Sequence, residues 1–503
     1  MKQKCIVIIF LMIGLYGYSN EKPPNIIWIF VEDMNDWMGC YGDNTVPTPN
    51  IDKLAEGGTR FNRAYMTAGV CSASRSAIAL GSMQTTFGVH NHRGSRQRIP
   101  EEVIHLPENV KTIYQLMRSN NYHVINAGPK NDFNFLWPSQ NKRELDNVKG
   151  KYGNGAYYTS NKKDLLYDVN TPNWGFNADL WSNRPKEKPV FVQFQLKGGK
   201  DTGRYKNAPV SQGKNKVKTS GHEVFTDTSS VEVMPYYPDI PVVRKEIAHH
   251  YDCIRQTDDD VGEIIKGLKE EGLYDNSIII FWTDHGMNLA RHKQWLYEGG
   301  IRVPLLISGK GIKKGKVRND LVSGIDITAT TLALCDIQIP EHMEGKNMLA
   351  KKFKRKYVVS ARDRCDYTID RVRSITTKRY KYIRNFLTDR QFMQPHYRDG
   401  KAYIEDVRSY YLAGKMNQEQ AFIWSETRVP EELYDLKKDP HEINNLANDP
   451  KYLIQLTEHR TLLKKWISET DDKGQYPEPY TALKGALKQW HKKAVNPEYE
   501  QLR

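Results

Sequence analysis

Residues 24–33 read PNIIWIFVED, an apolar run that ends in two acidic side chains. Residues 276–286, NSIIIFWTDHG, have the same layout, because Asp284 and His285 directly follow an apolar run. Such uninterrupted runs predict strands covered on both faces, as in a parallel sheet between helices. Open α/β sheets bind ligands beyond the carboxyl ends of their strands, so the polar residues after both runs are candidate functional groups.

Further candidate strands and helices alternate along the first 350 residues. Apolar patterns predict strands over 122–128, 189–196 and 300–309, and helical patterns cover 48–58 and 258–273. This alternation predicts an α/β fold in which a large, doubly wound, mostly parallel sheet occupies residues 20–350. The polar stretch 201–230 is expected to form a long loop.

The sequence changes character after residue 350. Residues 371–386, RVRSITTKRYKYIRNF, indicate paired antiparallel strands, and the segment 466–493 is expected to end the chain with a helix. We therefore predict a smaller α+β subdomain over residues 351–503.

The first 19 residues are typical of a secretory signal peptide. Lys2 and Lys4 precede an apolar run over 5–16, which is followed by small residues. The run is too short to span a bilayer, and the alternative is a buried N-terminal strand. No later window is apolar enough to cross a membrane, so we expect a periplasmic or secreted protein.

The composition favours an anionic partner. Lysine and arginine number 74 against 60 acidic residues, giving a net charge of +14. Nucleic acid fits poorly with export and with the dispersed basic residues, whereas a sulfated or carboxylated polysaccharide fits better. A generally basic, solvated surface explains the charge equally well.

Six cysteines are scattered without paired spacing, and removal of Cys5 with the signal peptide leaves an odd number. This argues against a disulfide framework. Cys71 lies in AGVCSASRSAIAL, residues 68–80, among small residues and four positions before Arg75. The simplest structural interpretation is a small buried thiol.

The stretch CSASR, residues 71–75, resembles the sulfatase signature Cys-x-Pro/Ala-x-Arg. The flanking residues 48–65 and 281–309 are also similar to sulfatase segments, as is the opening strand with its acidic pair. Residues 236–262 and 431–450 resemble the heparan N-sulfatase (sulfamidase)-like branch. The resemblance covers nearly the whole mature chain and implies an alkaline-phosphatase-like fold.

The resemblance implies that a formylglycine-generating enzyme oxidises Cys71 to the aldehyde formylglycine (3-oxoalanine). Arg75 would then steady the aldehyde. One hydroxyl of the hydrated aldehyde would attack sulfur and expel the sugar alcohol, and deprotonation of the second would release sulfate.

The resemblance also implies one divalent cation, most simply Ca²⁺. Its expected ligands are Glu32, Asp33, Asp284, His285 and the modified Cys71. Glu32 stands where the family usually has Asp, and His285 stands where Asn is common.

Three lysines correspond to catalytic positions of the family. Lys293 matches the sulfate-binding lysine, and Lys130 matches the lysine of a Gly-Lys-x-His segment in which Asp132 replaces the histidine. Lys200 lies nearest to the usual leaving-group histidine, and His222 is the alternative acid. Lys200 would donate a proton readily if nearby cations lowered its pKa.

Residues 88–94, GVHNHRG, are expected to face the substrate through His90, His92 and Arg93, and His292 is expected to help Lys293. A transition-metal site and inconsequential surface histidines are the alternatives. Five charged residues of the predicted smaller subdomain could line the pocket for the anionic substrate. For each of them taken singly, a solvated side chain is the safer expectation. They are Arg362, Asp363, Arg364, Lys381 and Arg384.

These observations predict a secreted sulfatase that acts on sulfate esters of a polysaccharide or its oligosaccharides. Algal polymers such as ulvan or carrageenan are favoured, and glycosaminoglycans are the other substrate class considered. Two alternatives stay open: a phosphoester or phosphonate hydrolase on the same scaffold, and a non-catalytic protein that binds anionic polysaccharide.

Overall fold

The computed structural model describes residues 22–93, 103–128, 131–140, 142, 156–171, 178–181, 183–200 and 224–503. The predicted signal peptide, Lys130, His222 and most of the predicted loop over 201–230 lie outside the described residues. Within the described part of the chain, no helix has the length and apolar character needed to cross a membrane.

The strands, in chain order, are β1 (Asn25–Val31), β2 (Gly58–Tyr65), β3 (His123–Ala127), β4 (Trp137–Ser139), β5 (Ala156–Tyr158), β6 (Val169–Thr171), β7 (Val190–Leu196), β8 (Ser277–Thr283), β9 (Arg302–Gly309), β10 (Lys316–Arg318), β11 (Val322–Ser323), β12 (Val358–Arg362), β13 (Val372–Thr376), β14 (Tyr380–Asn385) and β15 (Glu431–Asp435). The α-helices are α1 (Pro49–Glu56), α2 (Cys71–Leu80), α3 (Ile113–Ser119), α4 (Ala178–Trp181), α5 (Pro241–Glu270), α6 (Glu298–Ile301), α7 (Ile325–Leu334), α8 (Ala402–Leu412), α9 (Gln418–Ala421), α10 (Leu453–Thr470) and α11 (Tyr480–Trp490).

The large sheet has nine strands in the order β10-β2-β9-β8-β1-β7-β3-β6, with β11 also paired to β2. Strand β1 lies at its centre and pairs in parallel with β7 and with β8. Strand β9 is antiparallel to both of its neighbours, and the other described pairings in this sheet are parallel. The predicted α/β class is confirmed.

Alternate residues of β1 enter two different hydrophobic cores. Ile27 and Ile29 pack in the core that contains Ile254 of α5. Trp28 and Phe30 pack in the core that contains residues of α2, α3 and α7. Apolar residues are therefore needed at every position of this strand, which explains why the sequence does not alternate between apolar and polar.

The second sheet is antiparallel, in the order β12-β13-β14-β15, and α10 packs on it. The predicted strand pair over 371–386 forms β13 and β14. Fully buried Arg373 ties this sheet to neighbouring segments through ion pairs with Asp363 at 2.9 Å and Asp472 at 2.8 Å. The proposed domain boundary near residue 350 stays a prediction.

Helix α5 begins earlier than the sequence pattern predicted, because a buried stripe continues through Val243, Ile247 and Ile254. The helix presents a second buried feature, the carboxylate of Asp258. This carboxylate accepts hydrogen bonds from the first-turn amides of α1, at 3.0 Å from the nitrogen of Asn50 and 2.8 Å from that of Ile51. The first-turn N–H groups of α1, which have no acceptor within their own helix, are thus hydrogen-bonded by a side chain of α5.

We expect Asp258→Ala to lower the free energy of unfolding by about 2 kcal/mol, since it leaves buried N–H donors without an acceptor. The neighbouring Asp259 is exposed, and Asp259→Ala is expected to change stability by less than about 0.5 kcal/mol. Urea unfolding followed by tryptophan fluorescence measures both. Equal stabilities of the two variants would contradict this role of Asp258.

Candidate active site

The polar residues that follow β1, β7 and β8 meet at one edge of the large sheet. Backbone hydrogen bonds bind the three strand ends together: the Asp284 amide donates to the Val31 carbonyl at 3.2 Å, and the Gly199 amide donates to the Glu32 carbonyl at 2.9 Å. The carboxyl ends of central parallel strands thus form the site, as expected for an open α/β sheet.

Two glycines allow the turn after β7 to approach the end of β1. A Cβ atom at Gly199 would lie 2.2 Å from the carbonyl oxygen of Asp33, and one at Gly198 would lie 2.2 Å from that of Glu32. Only glycine fits such an approach. The following residue, Lys200, is thereby brought against the acidic pair.

Lysines 200 and 293 contact the acidic pair directly. The Lys293 ammonium lies 2.6 Å from Asp33 Oδ2, and the Lys200 ammonium lies 3.2 Å from Asp33 Oδ1 and forms a closer ion pair with Glu32. Burial by itself raises the pKa of Asp33, but the charges of Lys200, Lys293 and His285 hold this pKa well below its usual range. Asp33 is therefore ionised despite complete burial.

The structure contradicts one expectation about Lys200. Burial favours a lower pKa, yet the charges of Asp33 and Glu32 outweigh it and raise the pKa of Lys200 well above its usual value. The sequence argument considered only nearby cations, whereas the carboxylates are the closer groups. Lys200 therefore stays protonated at neutral pH and acts as a hydrogen-bond donor in this arrangement.

A cluster able to hold a metal ion lies beside these charges. One ligand atom from each of Cys71, Asp284 and His285 lies within 4.8 Å of the others, and all three side chains are buried. His285 Nδ1 lies 2.8 Å from the Gly286 carbonyl oxygen, which can only accept, so Nδ1 carries the proton and Nε2 presents its lone pair. Burial lowers the pKa of His285 and favours this neutral form.

The donor atoms fit a divalent cation. Asp284 Oδ2 is buried and has no hydrogen-bond partner among the described residues, an arrangement that a cation would complete. Asp33 lies alongside, with Oδ1 at 3.3 Å from His285 Nε2 and its amide donating to Asp284 Oδ1 at 3.0 Å. Carboxylate oxygens suit a hard cation, and the imidazole nitrogen adds one softer donor.

Two of the five expected ligands, Glu32 and Asp33, lie outside this compact cluster, and Glu32 is engaged by other groups. Its carboxylate contacts Lys200 and lies 3.5 Å from an Arg75 nitrogen. Among the described residues, the compact cluster contains three of the five expected ligands, and Asp33 adjoins it. The longer side chain of Glu32 reaches the arginine that follows the signature cysteine.

Arg75 lies one helical turn after Cys71, which is the first residue of α2. Its guanidinium donates to Gln195 Oε1 at 2.7 Å, lies 3.8 Å from Asp132 and covers the Phe30 ring at 4.5 Å. The sequence analysis missed Gln195. The two glutamines of the otherwise apolar strand β7, Gln193 and Gln195, were the available signal.

His92 and Arg93 lie beside the signature cysteine and contact its neighbour. His92 Nδ1 is 2.7 Å from Ser72 Oγ, and the Arg93 amide donates to the same oxygen at 3.0 Å. The Arg93 guanidinium is paired with Asp366 and lies over the Tyr397 ring at 5.1 Å. These residues support the start of α2, whereas His90 lines a different cavity.

The expectation that His292 contacts substrate is not supported by its placement. His292 is buried, with Nδ1 at 3.1 Å from Asn35 Oδ1 and Nε2 at 3.0 Å from the Tyr236 hydroxyl. Both ring nitrogens are thus occupied by protein groups. Burial holds the pKa of His292 well below its usual range.

The expectation of solvated charge in the smaller subdomain is wrong for four of the five residues. Arg362, Asp363, Arg364 and Lys381 are buried and ion-paired, with Asp370, Arg373, Glu478 and Glu298 as respective partners. Arg384, paired with Glu431, is 36% exposed at its side chain and remains at the surface. Sequence position alone does not reveal these partners, since most lie far away along the chain.

Arg398 is a further residue that the sequence analysis missed. It is buried and donates to the Lys293 carbonyl at 3.2 Å and to Asn288 Oδ1 at 3.1 Å. Its loop also supplies Tyr397, whose ring lies 5.7 Å from that of His92. No motif in this loop distinguished it from other polar segments.

The five cysteines of the described chain, including Cys71, are all free thiols. Fold and site together define a hydrolase of the alkaline-phosphatase-like α/β class. The chain belongs to the sulfatase family, whose profile matches residues 24–337. A second profile, described as "N-sulphoglucosamine sulphohydrolase, C-terminal", matches residues 285–418. The chain is a sulfuric ester hydrolase.

Relatives include an ulvan-active sulfatase of Formosa agariphila, 28% identical over 90% of this chain and 76% of that protein. Human N-sulphoglucosamine sulphohydrolase is 22% identical, over 91% of this chain and 92% of that protein. Among solved structures, a 2-O GAG sulfatase aligns with a TM-score of 0.60 at 21% identity, covering 92% of this chain and 96% of that chain. This last similarity concerns the fold alone.

The placement of His292 predicts a pH dependence of stability. The unfolded histidine gains a proton below about pH 6.5 whereas the buried one stays neutral, so stability falls as the pH falls. Between pH 7.5 and 5.5, we expect the wild type to lose about 1.4 kcal/mol more than His292→Gln. Urea unfolding at both pH values measures the difference.

If His292→Gln kept the wild-type pH dependence of stability, His292 would not be a neutral, buried group.

Proposed function

We propose that the protein hydrolyses sulfate esters of an anionic polysaccharide or its oligosaccharides, with formylglycine derived from Cys71 as nucleophile and Ca²⁺ as cofactor. The observation that carries the proposal is the position of the Cys71 sulfur, within 4.8 Å of ligand atoms of both Asp284 and His285. The precursor of a metal-activated nucleophile must lie beside the metal ligands, and Cys71 has this placement.

The modified residue would supply the attacking hydroxyl, and the cation would lower the pKa of that hydroxyl. We assign Asp33, Asp284 and His285 as cation ligands, with Glu32 completing the set. Lys293 is the cation that would then turn from the Asp33 carboxylate to the sulfuryl oxygens.

We assign the remaining roles as follows. Arg75, anchored by Gln195 and Glu32, holds the aldehyde. Lys200 donates a hydrogen bond to the leaving oxygen, because it stays protonated at neutral pH. Lys130 is a second sulfate-binding lysine, and His222 remains the alternative acid. Of the predicted substrate-facing residues, His92 and Arg93 act by positioning the start of α2.

The proposed substrate class rests on the net charge of the chain and on its relatives. The chain carries a net charge of +14, which favours a polyanion. Two relatives in Formosa agariphila are ulvan-active sulfatases, at 28% and 26% identity. We therefore favour an algal polysaccharide such as ulvan or carrageenan, with glycosaminoglycans as the second candidate class. Processing of a signal peptide over 1–19, export to the periplasm or medium, and maturation by a formylglycine-generating enzyme belong to the same proposal.

A phosphonate hydrolase is the second candidate function. A phosphonate monoester hydrolase of Agrobacterium radiobacter shares the fold, with a TM-score of 0.59 at 16% identity over 89% of this chain and 96% of that chain. Initial rates on matched aryl sulfate and aryl phosphonate esters separate the two reactions, and faster sulfate hydrolysis is the outcome that supports the proposal.

Sulfate release tests the nucleophile. The protein, coexpressed with a formylglycine-generating enzyme, should release inorganic sulfate from at least one oligosaccharide of ulvan, carrageenan, fucoidan or heparan. Cys71→Ala should abolish release, whereas Cys335→Ala, which changes a half-buried thiol outside the site, should not. Ion chromatography measures sulfate, and mass spectrometry reports the aldehyde.

Sulfate release that persists in Cys71→Ala would refute the nucleophile. Aldehyde formation without sulfate release from any sugar would favour a non-catalytic binding protein.

Calorimetric titration with Ca²⁺ tests the cation site. Asp284→Asn removes one negative charge from the ligand set and should weaken Ca²⁺ binding by about tenfold. Exposed Asp275→Asn should keep the wild-type affinity. Equal Ca²⁺ affinities of the two variants would contradict the assigned site, independently of any activity assay.

A further inference from the structure

A cavity of about 960 Å³ lies between residues 86–91 and 103–107 on one side and residues 363–387 and 473–501 of the chain's C-terminal part on the other. Its size is within the range of small-molecule binding sites. None of the residues assigned above to catalysis or to cation binding lines it.

The residues that line this cavity offer many polar side-chain groups. Thr86, Asn91, Gln475 and Gln501 supply hydrogen-bond donors and acceptors. Such a mixture of donors and acceptors suits the hydroxyl groups of a sugar.

Arg371 carries a positive charge that the acidic residues lining the cavity do not pair with. The acidic residues there are already paired, Asp363 with Arg373 and Glu478 with Arg364. Asp370 and Glu498 are paired with arginines as well. Arg371 forms no ion pair with any described residue and rests on the Phe386 ring at 3.8 Å. A half-buried guanidinium in this state favours an anionic ligand.

An aromatic side chain completes the wall. Tyr476 lines the cavity with 56% of its surface exposed, and its hydroxyl donates to Asp471 at 2.5 Å, which fixes the ring. Phe87 and Pro477 add further apolar surface. An exposed, fixed ring beside hydrogen-bonding groups matches the amphipathic faces of a sugar.

The cavity adjoins the candidate active site through two chain segments. His92 contacts Ser72, the neighbour of Cys71, and His90 lies two residues before it. Cys365 packs against Ala73 of α2, and the lining residue Asp363 also lies two residues before it. Two residues span at most about 7 Å of chain, so the cavity wall lies close to the two segments that pack beside Ser72 and Ala73.

We propose that this cavity binds a second, anionic sugar residue of the substrate chain, through Arg371 and Tyr476, while the sulfate ester lies at Cys71. The proposal rests on the proposed function for the identity of the ligand. It makes the protein selective for oligosaccharides over sulfated monosaccharides, and it assigns specificity to residues that the sulfate-cleaving site does not use.

Binding is measured by calorimetry in the Cys71→Ala background, so that no turnover occurs. Tetrasaccharides of ulvan and of heparan sulfate are the ligands. Adding Arg371→Met should weaken binding of the preferred tetrasaccharide by about tenfold to a hundredfold, and Tyr476→Ala by about two- to tenfold. Arg255→Met, a change at an exposed arginine of α5, is the matched control and should retain the affinity.

Modified ligands identify the anion. If Arg371 contacts a uronate, its substitution should have no effect on the carboxyl-reduced tetrasaccharide; if it contacts a sulfate, the effect should vanish with the desulfated one. Unchanged affinities in both Arg371→Met and Tyr476→Ala would overturn the proposal, as would failure of every tetrasaccharide to bind. Binding that depends on Arg371, with no sulfate release by the mature enzyme, would refute the proposed function and leave the cavity's role standing.

Discussion

The contact between Asp33 and two lysines governs the organisation of the site. A completely buried carboxylate is costly, and Lys293 and Lys200 offset that cost at 2.6 and 3.2 Å. The three side chains come from the ends of β1 and β7 and from the segment after β8, so the ion pairs also fix the relative positions of these elements. Asp284 and His285 are held close together as a consequence, and Cys71 enters the same cluster from the start of α2.

This arrangement explains why charges are concentrated where apolar strands end. Strand β1 is apolar on both faces because two cores cover it, and the first position free of that requirement is the one after Val31. Paired glycines at 198 and 199 then allow a neighbouring turn to come within backbone contact. The chemistry is therefore concentrated where the packing constraint ends, which is a general property of doubly wound sheets.

The residue motifs predicted some parts of the site better than others. Glu32, Asp33, Asp284 and His285 follow recognisable strands, and parallel pairing of β1 with β8 necessarily brings them together. His292 lies beside Lys293 in the sequence but points into a polar network with Asn35 and Tyr236, because adjacent residues face different directions. The contact of Gln195 with Arg75 and that of Arg398 with the Lys293 backbone were missed, since neither partner lies nearby in the sequence.

The sequence by itself determined the α/β class, the central strands, the antiparallel pair of the smaller sheet and the residue types at the strand ends. These features depend on local periodicity and on short motifs, which are present in consecutive residues. The tertiary structure alone decided the raised pKa of Lys200, the burial of Arg364 and Lys381, and the cavity around Arg371. Each of these depends on partners distant along the chain, and electrostatic energies depend on distances that only the folded protein fixes.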